Sequence, residues 1–243
     1  METKEKGNTI YLIIIIVCTL LVVLLCAFAI IHHGKEEHTD AMKFKNEYES
    51  LNDVESPNSD NKYPSVSITS DNPIVYKTAK EILEVLDNED AIIYFGYASC
   101  PWCRNLVEVL LSAAKKQGVE KIYYVDIKDQ RDAYEFSGTI KPKQTKKGSD
   151  AYYKILEFFG EKLETYYVRD EAGNQYSTGV TRLYAPTVIR IEKGKIMAMH
   201  VSTVESQTNP YEKLNEEQRN ELYDILDELV QFSSNEVCKD EAC

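Results

Sequence analysis

Two cysteines three positions apart, in Ser99-Cys100-Pro101-Trp102-Cys103-Arg104, carry the chemistry this chain most plainly offers. A thiolate, not a thiol, attacks a disulfide, so the first sulfur needs something to hold its negative charge near neutral pH. A strand-forming apolar run, Ala91-Ile92-Ile93-Tyr94-Phe95, precedes the pair, and Leu106, Leu110, Ala113 and Ala114 follow it at helical spacing. Cys100 is therefore expected at a helix start, where unpaired amides and the positive end of the helix dipole pull a thiol pKa below its usual ~8.5. Pro101 suits the first helical position because it has no amide hydrogen to leave unsatisfied. Cys103, one turn on, is within disulfide reach and deeper in the fold, so the spacing assigns attack to Cys100 and resolution to Cys103. A static disulfide and half of a zinc site are the alternatives. Zinc needs a second ligand pair, which only Cys238 and Cys243 could supply from the far end of the chain, and the strand-turn-helix setting favours redox chemistry. His32, His33 and His38 lie in a polar stretch with no visible supporting shell and read as bystanders, so neither a metal nor a cofactor is expected.

The elements that must position this dithiol follow from periodicity. After the helix ends near Gly118, Ile122-Tyr123-Tyr124-Val125-Asp126-Ile127 reads as the next strand, giving a β-α-β unit with the dithiol at its carboxyl edge. Upstream, Val66 and Ile68 alternate with polar residues as in an edge strand. Pro73, Val75, Ala79, Ile82 and Leu86 read as a helix capped by Asp71 or Asn72. Downstream, Tyr152, Ile155, Leu156, Phe159 and Leu163 mark a helix, after a lysine-bearing loop with Lys141, Lys143, Lys146 and Lys147. Tyr166 to Val168 and Gln175 to Thr178 look like a hairpin. Strands at 187–191 and 195–201, turned by Glu192-Lys193-Gly194, precede a final helix. Asn215 and Gln218 form its capping box, and Leu222, Ile225, Leu226, Leu229 and Phe232 its buried stripe.

The chain has 243 residues, 43% apolar and 28% charged, enough for one ordinary domain with an appendage. Residues 10–31 hold no charge, and 22 such residues would cross a ~30 Å hydrocarbon layer as one helix. The stretch exceeds the ~15 residues of a signal-peptide core, so a retained transmembrane anchor is expected despite the Ala27-Phe28-Ala29 pattern. Cys18 and Cys26 then read as apolar filler. This divides the chain into a short head (1–9), the anchor (10–31), a polar linker (32–62), a compact domain (63–233) and a flexible tail (234–243) with Cys238 and Cys243. Within the linker Phe44, Tyr48 and Leu51 allow a short amphipathic helix. The net charge of −12 makes nucleic-acid binding improbable. Lysine bias does not decide which side the domain occupies; a nine-residue head before a long domain favours the extracytoplasmic side.

With these residues in place, the chain resembles the thioredoxin superfamily, in particular membrane-anchored bacterial members such as bacteriocin transport accessory proteins. The resemblance covers about residues 63–232. It rests on Tyr94-Phe95-Gly96-Tyr97-Ala98-Ser99-Cys100-Pro101-Trp102-Cys103 and on Tyr184-Ala185-Pro186-Thr187. It implies an α/β fold, a thioredoxin-like central mixed sheet flanked by helices, with one N-terminal transmembrane helix. It also implies a cis Ala185-Pro186 bond that sets Pro186 beside the dithiol and leaves the Ala185 backbone to pair with an extended substrate. From the residues alone, Pro186 could equally begin an edge strand. The activity implied is thiol–disulfide exchange with protein thiols and disulfides and an unidentified redox partner. The alternative is an accessory protein that uses the fold as a docking platform for peptide export or folding.

Two departures stand out. The buried aspartate that thioredoxins carry six positions before the first cysteine is replaced by Tyr94, so resolution must draw on another group; Glu108 and Asp126 are candidates by proximity in sequence. Trp102 differs from the family's usual dipeptides, implies an intermediate reduction potential, and is expected to be exposed as a partner contact. The tail pair Cys238 and Cys243 could exchange electrons with Cys100 or simply close on itself, the second being the simpler reading.

Overall fold

The structure, a computed structural model, describes residues 15, 17–23, 39–57, 59–136, 138 and 141–232. Two units divide between Thr39 and Asp40. In the first, residues 17–23 are helical, with Val17, Leu20, Leu21, Val22 and Val23 exposed. Among the described residues no helix is long and apolar enough to cross a membrane. The expected anchor lies mostly outside them, as do the three stalk histidines, Cys26 and the tail pair Cys238 and Cys243.

The second unit is built on a five-stranded mixed sheet. Its strands are β1 (Ile74–Tyr76), β2 (Ala91–Gly96), β3 (Ile122–Asp126), β8 (Thr187–Glu192) and β9 (Lys195–Val201), in the order β1-β3-β2-β8-β9. β1 and β2 run parallel to β3, whereas β8 is antiparallel to both β2 and β9. Every residue of β2 is buried, which is why that strand reads as a continuous apolar run. Its side chains alternate between two cores. Ile92 and Tyr94 face the layer that contains α1 (Asp40–Glu49), α3 (Pro101–Lys116) and α5 (Glu216–Leu229). Ile93 and Phe95 face α2 (Glu81–Asn88) and α4 (Asp150–Phe159). Helices thus cover both faces of the sheet.

Four expectations are corrected. First, the compact unit starts at Asp40, so most of the expected linker belongs to the domain. Phe44 and Tyr48 of α1 are fully buried against Tyr94 and Tyr124, and burying two such side chains contributes on the order of 3–6 kcal/mol, enough to hold a ten-residue helix to the sheet.

Second, Val66 and Ile68 are buried and alternate as expected, but no strand forms. Side chains replace the ladder: Asn52 Oδ1 accepts from Val66 N–H at 2.9 Å, and Glu49 Oε1 from Ile68 N–H at 2.8 Å.

Third, the helix expected from Pro73 starts only at Glu81, because Ile74, Val75 and Tyr76 pair with β3. β-branched and aromatic side chains beside an available strand outweigh the helical spacing. The Glu81 amide donates to Thr78 Oγ1 at 3.2 Å while the Thr78 amide donates to Glu81 Oε2 at 2.8 Å, a reciprocal pair that holds the turn leading into the helix.

Fourth, the lysine-bearing loop contains a strand, β5 (Lys143–Lys146), paired with β4 (Ala133–Glu135) in a small outlying sheet. All four β5 residues are exposed, so no apolar period betrays it. The expected hairpin exists, as β6 (Glu164–Arg169) and β7 (Gln175–Arg182). The Asn215–Gln218 capping box is formed at α5.

Candidate active site

Cys100 ends the loop after β2 and caps α3. Its backbone is extended (φ −94°, ψ 115°), its sulfur accepts the Cys103 amide at 3.3 Å, and its carbonyl accepts the Arg104 amide at 3.1 Å. Pro101 occupies the first helical turn. The local sequence dictates this arrangement: proline pre-sets the helical φ and removes one of the amides that would need a partner, and Cys100 supplies the cap.

Both sulfurs are free thiols. Cys100 keeps 3% of its surface and Cys103 none. The two respond oppositely to their surroundings. Burial by itself would push the Cys100 thiol up. The thiol and amide of Cys103, the charge of Arg131 and the Trp102 amide outweigh it and hold Cys100 below the ordinary thiol range. Cys103 is pushed far up, first by burial and then by its neighbour Cys100, against which the Tyr97 amide and the Tyr94 hydroxyl pull down. The surroundings thus lower one thiol and raise the other, the kind of asymmetry that sequential attack and resolution require.

The second element of the site comes from 85 residues away. Ala185-Pro186 is a cis peptide, Pro186 is buried, and the Cys100 thiol donates to the Ala185 carbonyl at 3.4 Å. The structure thus brings Cys100, Pro101, Cys103, Ala185 and Pro186 together. Trp102 also belongs to the turn, but it is half-buried and packs on the core that holds α1, α3 and α5, rather than standing free as expected. An indole this large, next to an apolar helix face, lowers its exposed area by lying on it. Of the two acids suggested by proximity, Glu108 is engaged by the Ser67 amide at 2.8 Å and faces Arg219, and Asp126 accepts the Lys128 amide at 2.8 Å.

Three contributors were not foreseen. Arg131, in the loop after β3, donates to the Tyr97 hydroxyl at 3.1 Å, lies over that ring and places its charge near Cys100. No local pattern distinguishes it from other loop arginines. Arg104 is buried inside the domain, where sequence alone would put an arginine at the surface; its place one residue after Cys103, on an otherwise apolar helix, was the available signal. Tyr48 reaches the site from α1 and holds the Tyr94 hydroxyl at 2.7 Å. Among the described residues no group of ligands could hold a metal ion.

Arg131 gives a direct expectation. Arg131→Gln removes a cation that favours the thiolate, so the Cys100 pKa rises. Iodoacetamide should then modify Cys100 more slowly at pH 7, with the limiting rate at high pH unchanged. A pH–rate profile that superimposes on that of the parent would show that the Arg131 charge does not act on this sulfur.

The chain matches no protein-family model, no curated protein and no solved structure.

Proposed function

We propose that this protein is a thioredoxin-like thiol–disulfide oxidoreductase that acts on protein thiols and disulfides, tethered to a membrane through residues 10–31 with its folded domain outside the cytoplasm. The observation that carries the reading is two free thiols one helical turn apart, the first capping a helix and in contact with the carbonyl before a cis proline, the second fully buried behind it. The Cys100 thiolate attacks one sulfur of a substrate disulfide. The substrate S–S bond breaks, its other sulfur leaves with the electron pair and takes up a proton, and a Cys100–substrate disulfide remains. Cys103 then loses its proton and attacks Cys100. The Cys100–Cys103 bond forms, and the substrate departs as its second thiol. Two protein thiols are oxidised and one substrate disulfide is reduced; the reverse sequence oxidises a substrate dithiol. Because an ionised Cys100 no longer has a proton to share with the Ala185 carbonyl, that acceptor becomes available to an extended peptide as the nucleophile forms.

The tether rests on composition: 22 uncharged, almost wholly apolar residues. Reduction of insulin by dithiothreitol, followed by turbidity, tests the activity. The full-length protein should accelerate it, and a trace identical to dithiothreitol alone would remove the catalytic reading in favour of a docking role. In intact cells a membrane-impermeant maleimide should reach the domain's thiols; protection from it until lysis would place the domain inside.

A further inference from the structure

Glu108 accepts the Ser67 amide and Asp126 the Lys128 amide, so the groups packed around the resolving sulfur itself are the ones to consider. Cys103 is fully buried, and its thiol is held far above the usual range, yet it must lose a proton before it can attack. The groups that act on it are Cys100 at the cap of α3, Tyr97 in the turn and Tyr94 on β2, with Tyr48 of α1 behind Tyr94.

Tyr94 is the one among these whose placement looks built for the task. Its ring lies over the backbone of Gly96, two residues on along the same face of β2, and a Cβ at position 96 would overlap the ring and hydroxyl. Only glycine leaves room for the tyrosine to reach along the strand towards the dithiol. Tyr94 and Cys103 are both fully buried in the same core cluster, where the Tyr94 hydroxyl draws the Cys103 thiol pKa down. Tyr48 Oη lies 2.7 Å from Tyr94 Oη, and Tyr48 is itself anchored by Arg104, which donates to the Tyr48 carbonyl at 2.7 Å.

Resting on the oxidoreductase reading above, we infer that Tyr94 donates a hydrogen bond to the Cys103 sulfur as it becomes a thiolate and attacks Cys100, and that Tyr48 is the positioning residue that turns the Tyr94 hydroxyl towards it. The inferred order of donors is Tyr48 to Tyr94 to Cys103; the Tyr48–Tyr94 contact admits a donor on either side. Both phenols are buried and pushed well above their ordinary range, so they stay protonated and act as donors rather than as bases. The Cys103 proton itself ends on the departing substrate sulfur, so the step gains and loses no proton overall. The hydroxyl thus acts on the charge of the attacking sulfur and does not itself take up the hydrogen.

The test uses the full-length, reduced protein mixed with oxidised glutathione, quenched in acid at intervals. The peptide containing Cys100 and Cys103 is then weighed as free dithiol, Cys100–glutathione adduct or internal disulfide. In Tyr94→Phe the adduct should form at the parental rate but convert to the internal disulfide about ten-fold more slowly, as expected for loss of a hydrogen bond to a charged sulfur. The pH profile of that conversion should move to higher pH. Tyr48→Phe should show the same pattern to a smaller degree. Tyr124→Phe, in the same ring cluster with its hydroxyl unpaired among the described residues, should leave both steps unchanged. Parental conversion in Tyr94→Phe, or an equal slowing in Tyr124→Phe, overturns the inference. If the parent protein forms neither adduct nor internal disulfide, it is the oxidoreductase reading that fails, a result distinct from either.

Discussion

Cys100→Ser is expected to bring insulin reduction down to the rate of dithiothreitol alone, whereas Cys103→Ser should fail differently, by accumulating a disulfide between Cys100 and its substrate. The first follows from the requirement for a thiolate: a serine hydroxyl at the same helix mouth ionises far too weakly to be held as an anion there. The second follows from the division of labour between the sulfurs. Cys103 is fully buried and its thiol pKa is pushed up by that burial, so it should not replace Cys100 as the external nucleophile, and removing it should leave the first step intact but withdraw the group that releases the product. Non-reducing electrophoresis of each variant with a disulfide-bonded protein substrate separates the outcomes. Equal adduct formation by the two variants would mean that either sulfur can attack, and the asymmetry inferred from their surroundings would be wrong.

Arg104→Met should cost the domain about 3–5 kcal/mol of stability in urea, more than most single substitutions. The guanidinium is 1% exposed and donates through Nε to the Pro64 carbonyl at 2.6 Å, through Nη1 to the carbonyls of Tyr48 (2.7 Å) and Ala98 (3.2 Å), and through Nη2 to Asn52 Oδ1 at 2.6 Å. It is matched by oxygens of the backbone and of an amide, not by a carboxylate. Replacing a buried ion pair as a whole with apolar residues is often neutral, but here the acceptors are largely main-chain carbonyls that remain behind without a donor. Methionine fills much of the volume and satisfies none of them. Lysine, a single point charge, cannot span four acceptors and should recover only part of the loss. A midpoint change worth less than about 1 kcal/mol would show that water serves those carbonyls equally well. Because the same guanidinium joins α1, the Pro64 segment and the turn before Cys100, the loss of stability should be accompanied by slower resolution by Cys103.

The dithiol and its immediate elements were legible because they are local. A five-residue apolar run, a proline after the first cysteine, and leucines and alanines at helical spacing each act over a few residues, and β2, the turn and α3 form as those signals require. The α5 cap and the hairpin of β6 and β7 are of the same kind. Where a local preference met a competing partner, the sequence reading failed: residues 74–76 left their helical pattern for a place beside β3, and residues 66–68 kept their alternation while side chains of α1 and of Asn52 took over their hydrogen bonds.

Sequence by itself determined which sulfur caps the helix and which lies one turn inside it, since the helix mouth, the proline and the three-residue spacing are all written within six positions. It also determined the strongly apolar segment at 10–31 and the acidic surface. Tertiary structure alone decided the rest of the site, because its parts come from distant elements: Arg131 after β3, Ala185 before β8, and Tyr48 from a helix that opens the domain some fifty residues before the dithiol. The buried charge of Arg104 is of that kind too. An arginine enters a core only when several oxygens converge on it from separate segments, and that convergence is a property of the folded chain rather than of any stretch of it.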